Sequence, residues 1–177
     1  MSRMALPAFS LVAASLVLFG WGCNPFQSAQ EKIGEKLAEG MLERSTGADV
    51  DIDKGTVTVK DEETGRETTI GQGAELPKDF PDDVPMYPGA VLTGSGISRN
   101  EGVNAWAMMT TDDGTSEVAE WYADELEGKG WTSVSSMTVD GTEYRAWEKD
   151  EATVTATVVK DEESGATNVA VSYMEKS

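Results

Sequence analysis

The chain has no histidine, a single cysteine, and only 14 Lys and Arg among 177 residues. Each scarcity excludes something. Without histidine there is no Ser-His pairing, no imidazole general base and no His-ligated zinc or haem. One cysteine has no partner for a disulfide within the chain. Few cations against 32 Asp and Glu leave a formal net charge of −18. Such a surface repels nucleic acid phosphates, whose capture needs clustered Lys and Arg, and it repels anionic headgroups too. Neither a G-x-S-x-G nor a P-loop pattern occurs. The acids are spread along the chain. The plain reading of that spread is solubility, with salt screening the self-repulsion. The sharper reading is capture of a cationic partner or metal.

What is present begins at the N-terminus. Arg3 is the only charge before residue 23, and the stretch from Leu11 to Phe19 is strongly apolar. A basic start, an apolar run and small residues before a cut point describe a secretory signal. The run ends in LFGWGC, residues 18–23, which holds the only cysteine. Gly22 followed by Cys23 resembles the last two positions of the lipobox in bacterial lipoprotein signal peptides. The resemblance implies cleavage before Cys23, thioether lipidation of its sulfur and acylation of the new amino terminus. Two or more acyl chains suffice for stable anchoring where one does not.

Residues 24–29 read as a tether. From Glu31 to Arg44, Ile33, Leu37 and Met41 recur every four residues, with Gly34, Ala38 and Leu42 beside them, which predicts an amphipathic helix. The period then changes. DVDID (49–53), TVTVK (56–60) and RETTI (66–70) alternate between turns and predict a three-stranded meander. Between residues 71 and 90 four prolines, Pro77, Pro81, Pro85 and Pro88, predict a stiff extended strap. Its Leu76, Phe80, Val84, Met86 and Tyr87 are placed to pin it down.

The remainder predicts strands at 90–98 and 103–111, with a helix from about Thr115 to Gly128 capped by Asp112 or Asp113. Two hairpins follow, one across Asp140 and Gly141 and one across Asp161 to Gly165. The order ββαββββ predicts an α+β fold, a two-layer sandwich of an antiparallel sheet with one packed helix, preceded by the amphipathic helix and the meander. The corresponding divisions are 1–22 signal, 23–30 anchor and tether, 31–75 helix and meander, 76–90 strap, and 91–177 α+β domain. VTVKDEETG (57–65) and VVKDEESG (158–165) resemble one another and read as one hairpin solution used twice.

Candidate chemistry is sparse. Asp49, Asp51 and Asp53 open like a calcium loop, but the sixth and twelfth positions hold Lys54 and Lys60, so a strand is the better reading. Asp61, Glu62 and Glu63, and again Asp161, Glu162 and Glu163, read as solvated hairpin tips. Asp82 and Asp83 fit a soluble strap. Trp106, Trp121, Trp131, Trp147 and Tyr144 are mostly core by pattern, the tryptophans expected on the helix side of the sheet. Tyr144 and Trp147 are the candidates for a ligand surface. No catalytic residue, metal ligand or cofactor site is expected.

The strap LPKDFPDDVPMYPGA, the strand pair after it, the helix VAEWYADELEGKGW and the closing strands resemble a group of uncharacterised bacterial lipoproteins. In that group a Leu-Pro-x-x-Phe-Pro-x-x-Val-Pro-x-Tyr-Pro-Gly strap precedes a small α+β domain. The resemblance spans residues 76 to about 174. It implies an exported, anchored, non-catalytic protein and transfers no catalytic residue. The expectation is a lipid-anchored cell-envelope binding or scaffolding module, held to the cell membrane or outer membrane through Cys23, with an envelope protein as partner and no nucleic acid. The exposed sheet face or the groove beside the strap is the expected contact surface. The alternatives are an envelope hydrolase working with Asp/Glu pairs and a calcium-responsive module.

Overall fold

A computed structural model describes residues 48–53, 55–100 and 102–176, together with Lys36, Glu39 and Gly40. The strands are β1 (Asp49–Asp53), β2 (Thr56–Asp61), β3 (Arg66–Ile70), β4 (Val91–Ser98), β5 (Val103–Thr111), β6 (Thr132–Val139), β7 (Thr142–Lys149), β8 (Ala152–Lys160) and β9 (Thr167–Glu175), with helix α1 (Thr115–Gly128) between β5 and β6. All nine strands join one sheet in the order β1-β2-β3-β4-β5-β9-β8-β7-β6. Every pairing is antiparallel.

This overturns the expected α+β architecture. Among the described residues the protein is mostly strand, one nine-stranded antiparallel sheet with α1 on one face, and not a six-stranded ββαββββ sandwich with a separate three-stranded meander before it. β3 pairs directly with β4, Thr68 opposite Gly96 and Ile70 opposite Gly94. Two separate sheets would each expose a row of unpaired N–H and C=O groups along the facing edges; joining them satisfies both rows. The expected amphipathic helix falls on residues 31–44, which lie outside the described residues apart from Lys36, Glu39 and Gly40, all three helical.

The strap is not the extended segment expected: between Pro77 and Ala90 it turns three times, Phe80 N–H bonding to the Pro77 carbonyl, Val84 N–H to the Pro81 carbonyl and Ala90 N–H to the Tyr87 carbonyl. Proline opens the first two turns, and Pro88 takes the second position of the third, where its fixed φ suits a turn. Its first residues stay hydrogen-bonded to β4, Gly71 N–H to the Thr93 carbonyl and Gly73 N–H to the Leu92 carbonyl, each at 3.0 Å. It then folds over the helix-bearing face, where Phe80, Val84 and Tyr87 are buried in the same core as α1.

Alternation along the strands gives the sheet two unlike faces. Ala105, Ala107, Met109, Val154, Ala156, Val158, Val169 and Val171 point to the helix, where Val118, Ala119, Tyr122 and Leu126 of α1 meet them. Fully burying a side chain such as Leu126 contributes about 1.5–3 kcal/mol. The helix ends where sequence demands. Gly130 takes φ +85°, Trp131 N–H bonds back to the Leu126 carbonyl at 3.0 Å, and the Trp131 ring plugs the core.

The helix start differs from expectation. Gly114 is the N-cap, with no side-chain cap. Asp113 is occupied elsewhere, accepting from Tyr87 Oη at 2.9 Å and from Thr111 Oγ1 at 3.3 Å. The carboxylate thus ties strap to sheet instead of capping the helix. Trp106 also departs from expectation. It lies on the face away from the helix, its ring flat over β4, where a Cβ on Gly96 would sit 2.5 Å from its Nε1.

Candidate functional site

The two residues proposed as a ligand surface are not brought together. Positions 144 and 147 differ by an odd number along β7, so their side chains leave opposite faces. Trp147 is 0% exposed beneath α1 and presents nothing to a ligand, while Tyr144 is 41% exposed on the helix-free face. Cys23 lies outside the described residues.

Beside the strap the structure offers a groove whose other wall is β1 to β3. On β1, β2 and β3 the helix-side face carries no apolar core. It carries Asp51, Asp53, Thr58, Lys60, Glu67 and Thr69. The strap residues Gln72, Gly73, Glu75 and Leu76 stand beside them as a wall, and the space between is about 490 Å³. The wall is fixed from within: Ser95, fully buried on β4, donates its hydroxyl to the Glu75 carbonyl at 2.7 Å. The floor is fixed across strands. Thr58 and Thr69 share a hydroxyl hydrogen bond of 3.1 Å, and Lys60 Nζ lies 3.3 Å from Glu67 Oε1. Among the described residues Lys60 is the one cation of the lining, against the carboxylates of Asp51, Asp53, Glu67 and Glu75.

The strap flanks a second acidic recess of about 330 Å³, lined by Asp79, Asp82, Asp83, Val103, Tyr173 and Glu175. Three cations hold the strap here. Arg99 pairs with Asp79 at 3.2 Å, Lys149 pairs with Asp83 at 3.0 Å, and Lys129 donates to the Asp82 and Asp83 carbonyls. Exposed pairs are each worth about 0–1 kcal/mol, so their service is to fix the position of the strap more than to stabilise the fold. Tyr173 Oη donates to Glu175 Oε2 at 2.9 Å, and burial followed by that bond pushes the phenol up to about 12.

The acidic hairpin tips behave differently from the groove. Asp61 Oδ1 accepts from the N–H groups of Glu63 and Thr64, and its Oδ2 accepts from Thr64 Oγ1. Asp161 Oδ1 likewise accepts from Glu163 and Ser164. These donors hold both carboxyls below the usual range. That is opposite to the shift a general acid needs. Among the described residues no three Asp, Glu, His or Cys side chains gather as a metal site would require. No described helix is long and apolar enough to cross a membrane.

A family model described as START domain-like matches residues 91–165. The matched stretch runs from β4 through α1 to the turn after β8, well under half of the chain. No curated protein matches, and no solved structure matches. The matched stretch supplies most of the helix-covered core, to which Phe80, Val84, Tyr87, Val169 and Val171 are added from outside it. The groove is built mostly from residues outside it, β1 to β3 and the strap, so its geometry stands on this chain's own residues.

Sequence reasoning named a groove beside the strap as a contact surface but none of the residues that line this one, because its walls are far apart in the chain. A signal was present in β2 and β3: both faces of a covered strand should be apolar, and Thr58, Lys60, Glu67 and Thr69 mark a face that stays wet.

Proposed function

We propose that the chain is a non-catalytic binding module of the cell envelope, anchored by lipid at Cys23, and that it takes a polar, positively charged ligand in the groove between β1–β3 and the strap. The observation that carries the reading is the lining itself, among the described residues four carboxylates to one lysine over hydroxyl groups in a concave space beside a fixed wall. A cation placed there faces carboxylates held by backbone that is already ordered, so little entropy is lost on binding. The START domain-like match supports a binding role, such domains being typically binding modules. The signal-like N-terminus and the Gly22–Cys23 junction support export and anchoring. The net charge of −18 adds a field that draws cations toward the surface at low salt.

The ligand reading is tested by calorimetric titration with the polyamine spermine as probe. One saturable site, weakened by salt, is expected. Asp51→Asn and Glu75→Gln, both at exposed positions, should each lower affinity by up to about fivefold, the scale of an exposed charge pair. No saturable binding, or equal binding by both variants, overturns it. Anchoring is tested separately by intact-mass analysis of membrane-extracted protein. An acylated chain beginning at Cys23 is expected, and a chain retaining Met1 overturns it.

A further inference from the structure

The two ends of the sheet are protected very differently. At β1 the edge carries Asp49, Asp51 and Asp53, and the outward N–H of Ile52 is taken by Glu39 Oε1 at 2.8 Å. At β6 there is no such guard among the described residues. The strand reads TSVSSMTV, with no charge and no proline, and all eight residues are exposed. Among the described residues it pairs only with β7. Val134, Met137 and Val139 are 51%, 53% and 44% exposed. A long edge without charge or proline is a template for another strand.

We propose that β6 pairs antiparallel with β6 of a second copy, about a twofold axis, joining two sheets edge to edge. The charge distribution leaves β6 as a place where a second copy can meet the first. Each copy carries −18, so contact through most of the surface sets carboxylates against carboxylates. β6 is a strand on which two copies meet with no charge in either row. A twofold axis requires a strand complementary to itself, and small hydroxyl residues interspersed with Val and Met satisfy that. The bulge between Ser133 and Ser135 confines regular pairing to Ser135–Val139. With the axis at Met137, Ser135 faces Val139 of the other copy. Asp140 then faces Val134, not its own counterpart. Met137 and Val139 share the helix-free face, so the apolar side chains of both copies leave water together. The contact is small and belongs to the weak class of interfaces. Added salt strengthens it by screening the two like-charged bodies.

The test is sedimentation equilibrium of the full-length chain in neutrally buoyant detergent. Wild type should show a monomer–dimer equilibrium that shifts toward dimer with salt. Met137→Glu and Met137→Lys should each be monomeric, and mixing the two should restore a dimer, because opposite charges then face one another across the axis. The exposed position leaves the fold intact, checked by an unchanged melting curve. A monomer at every concentration and salt, or a dimer indifferent to Met137→Glu, overturns the proposal. So does a foreign strand found on β6 in place of the second copy.

Discussion

Gly96 and Trp106 share one space on the helix-free face, and only one of them has a side chain. A Cβ at position 96 would meet the indole at 2.5–3.0 Å, so Gly96→Ala must push the ring off β4. Such overpacking costs about 1–3 kcal/mol. The expected result is a lower urea midpoint with an unchanged slope. Tyr87 acts at the same scale. Burial, then the Asp113 hydrogen bond, raises its phenol from 10.0 to about 12. The folded state therefore holds this proton where the unfolded state has released it, and stability is complete below pH 10 and declines as pH rises from 10.0 toward about 12. Tyr87→Phe should make that decline shallower in denaturant titrations across the interval. At neutral pH it should lose about 0.5–1.5 kcal/mol for the missing hydrogen bond. The paired turns were legible at this scale too. DEETG and DEESG looked like one solution used twice, and the same aspartate-to-N–H bonds recur at Asp61 and Asp161. Trp106 was not legible. Its partner is a backbone surface on β4, and no periodicity in β5 reveals which face a neighbouring strand leaves bare.

Among the elements, the strap has the most to explain. Three of its prolines sit in successive turns, but what holds it is Phe80, Val84 and Tyr87 seated in the core, with Tyr87 edge-on to Trp121 at 5.2 Å. Removing one such anchor leaves a cavity. Phe80→Ala should cost about 3–5 kcal/mol. It should also raise amide exchange in residues 71–76 ahead of the rest, because that stretch depends on the strap for its position. Faster exchange spread evenly over the sheet would instead mean that the strap adds only bulk stability. Element limits from Val91 onward could be read from alternation, from the 3.6-residue stripe of α1 and from Asp140–Gly141, whose positive φ values of 49° and 78° suit a tight hairpin. The helix cap could not. Asp112 and Asp113 are good caps in isolation, and Asp113 is drawn off by Tyr87, 26 residues away.

The whole molecule is where sequence reasoning failed, for an identifiable reason. A 20-residue connection rich in proline looks like a boundary, and β1–β3 look too poor in large apolar residues to join a core. They join through backbone instead, β3 to β4, and hydrogen bonds leave no trace in hydropathy. That junction makes the groove, because it sets the wet face of β2 and β3 beside a strap whose far end is buried. The account therefore turns on whether a cation binds there and not at some other of the many acidic places. Amide chemical-shift mapping of the full-length protein during a spermine titration tests this most directly. The account predicts saturable shifts at Asp51, Asp53, Thr58, Glu67, Gly73 and Glu75. Shifts confined to the turns at Asp61–Gly65 and Asp161–Gly165, or growing without saturation across the whole surface, would contradict it.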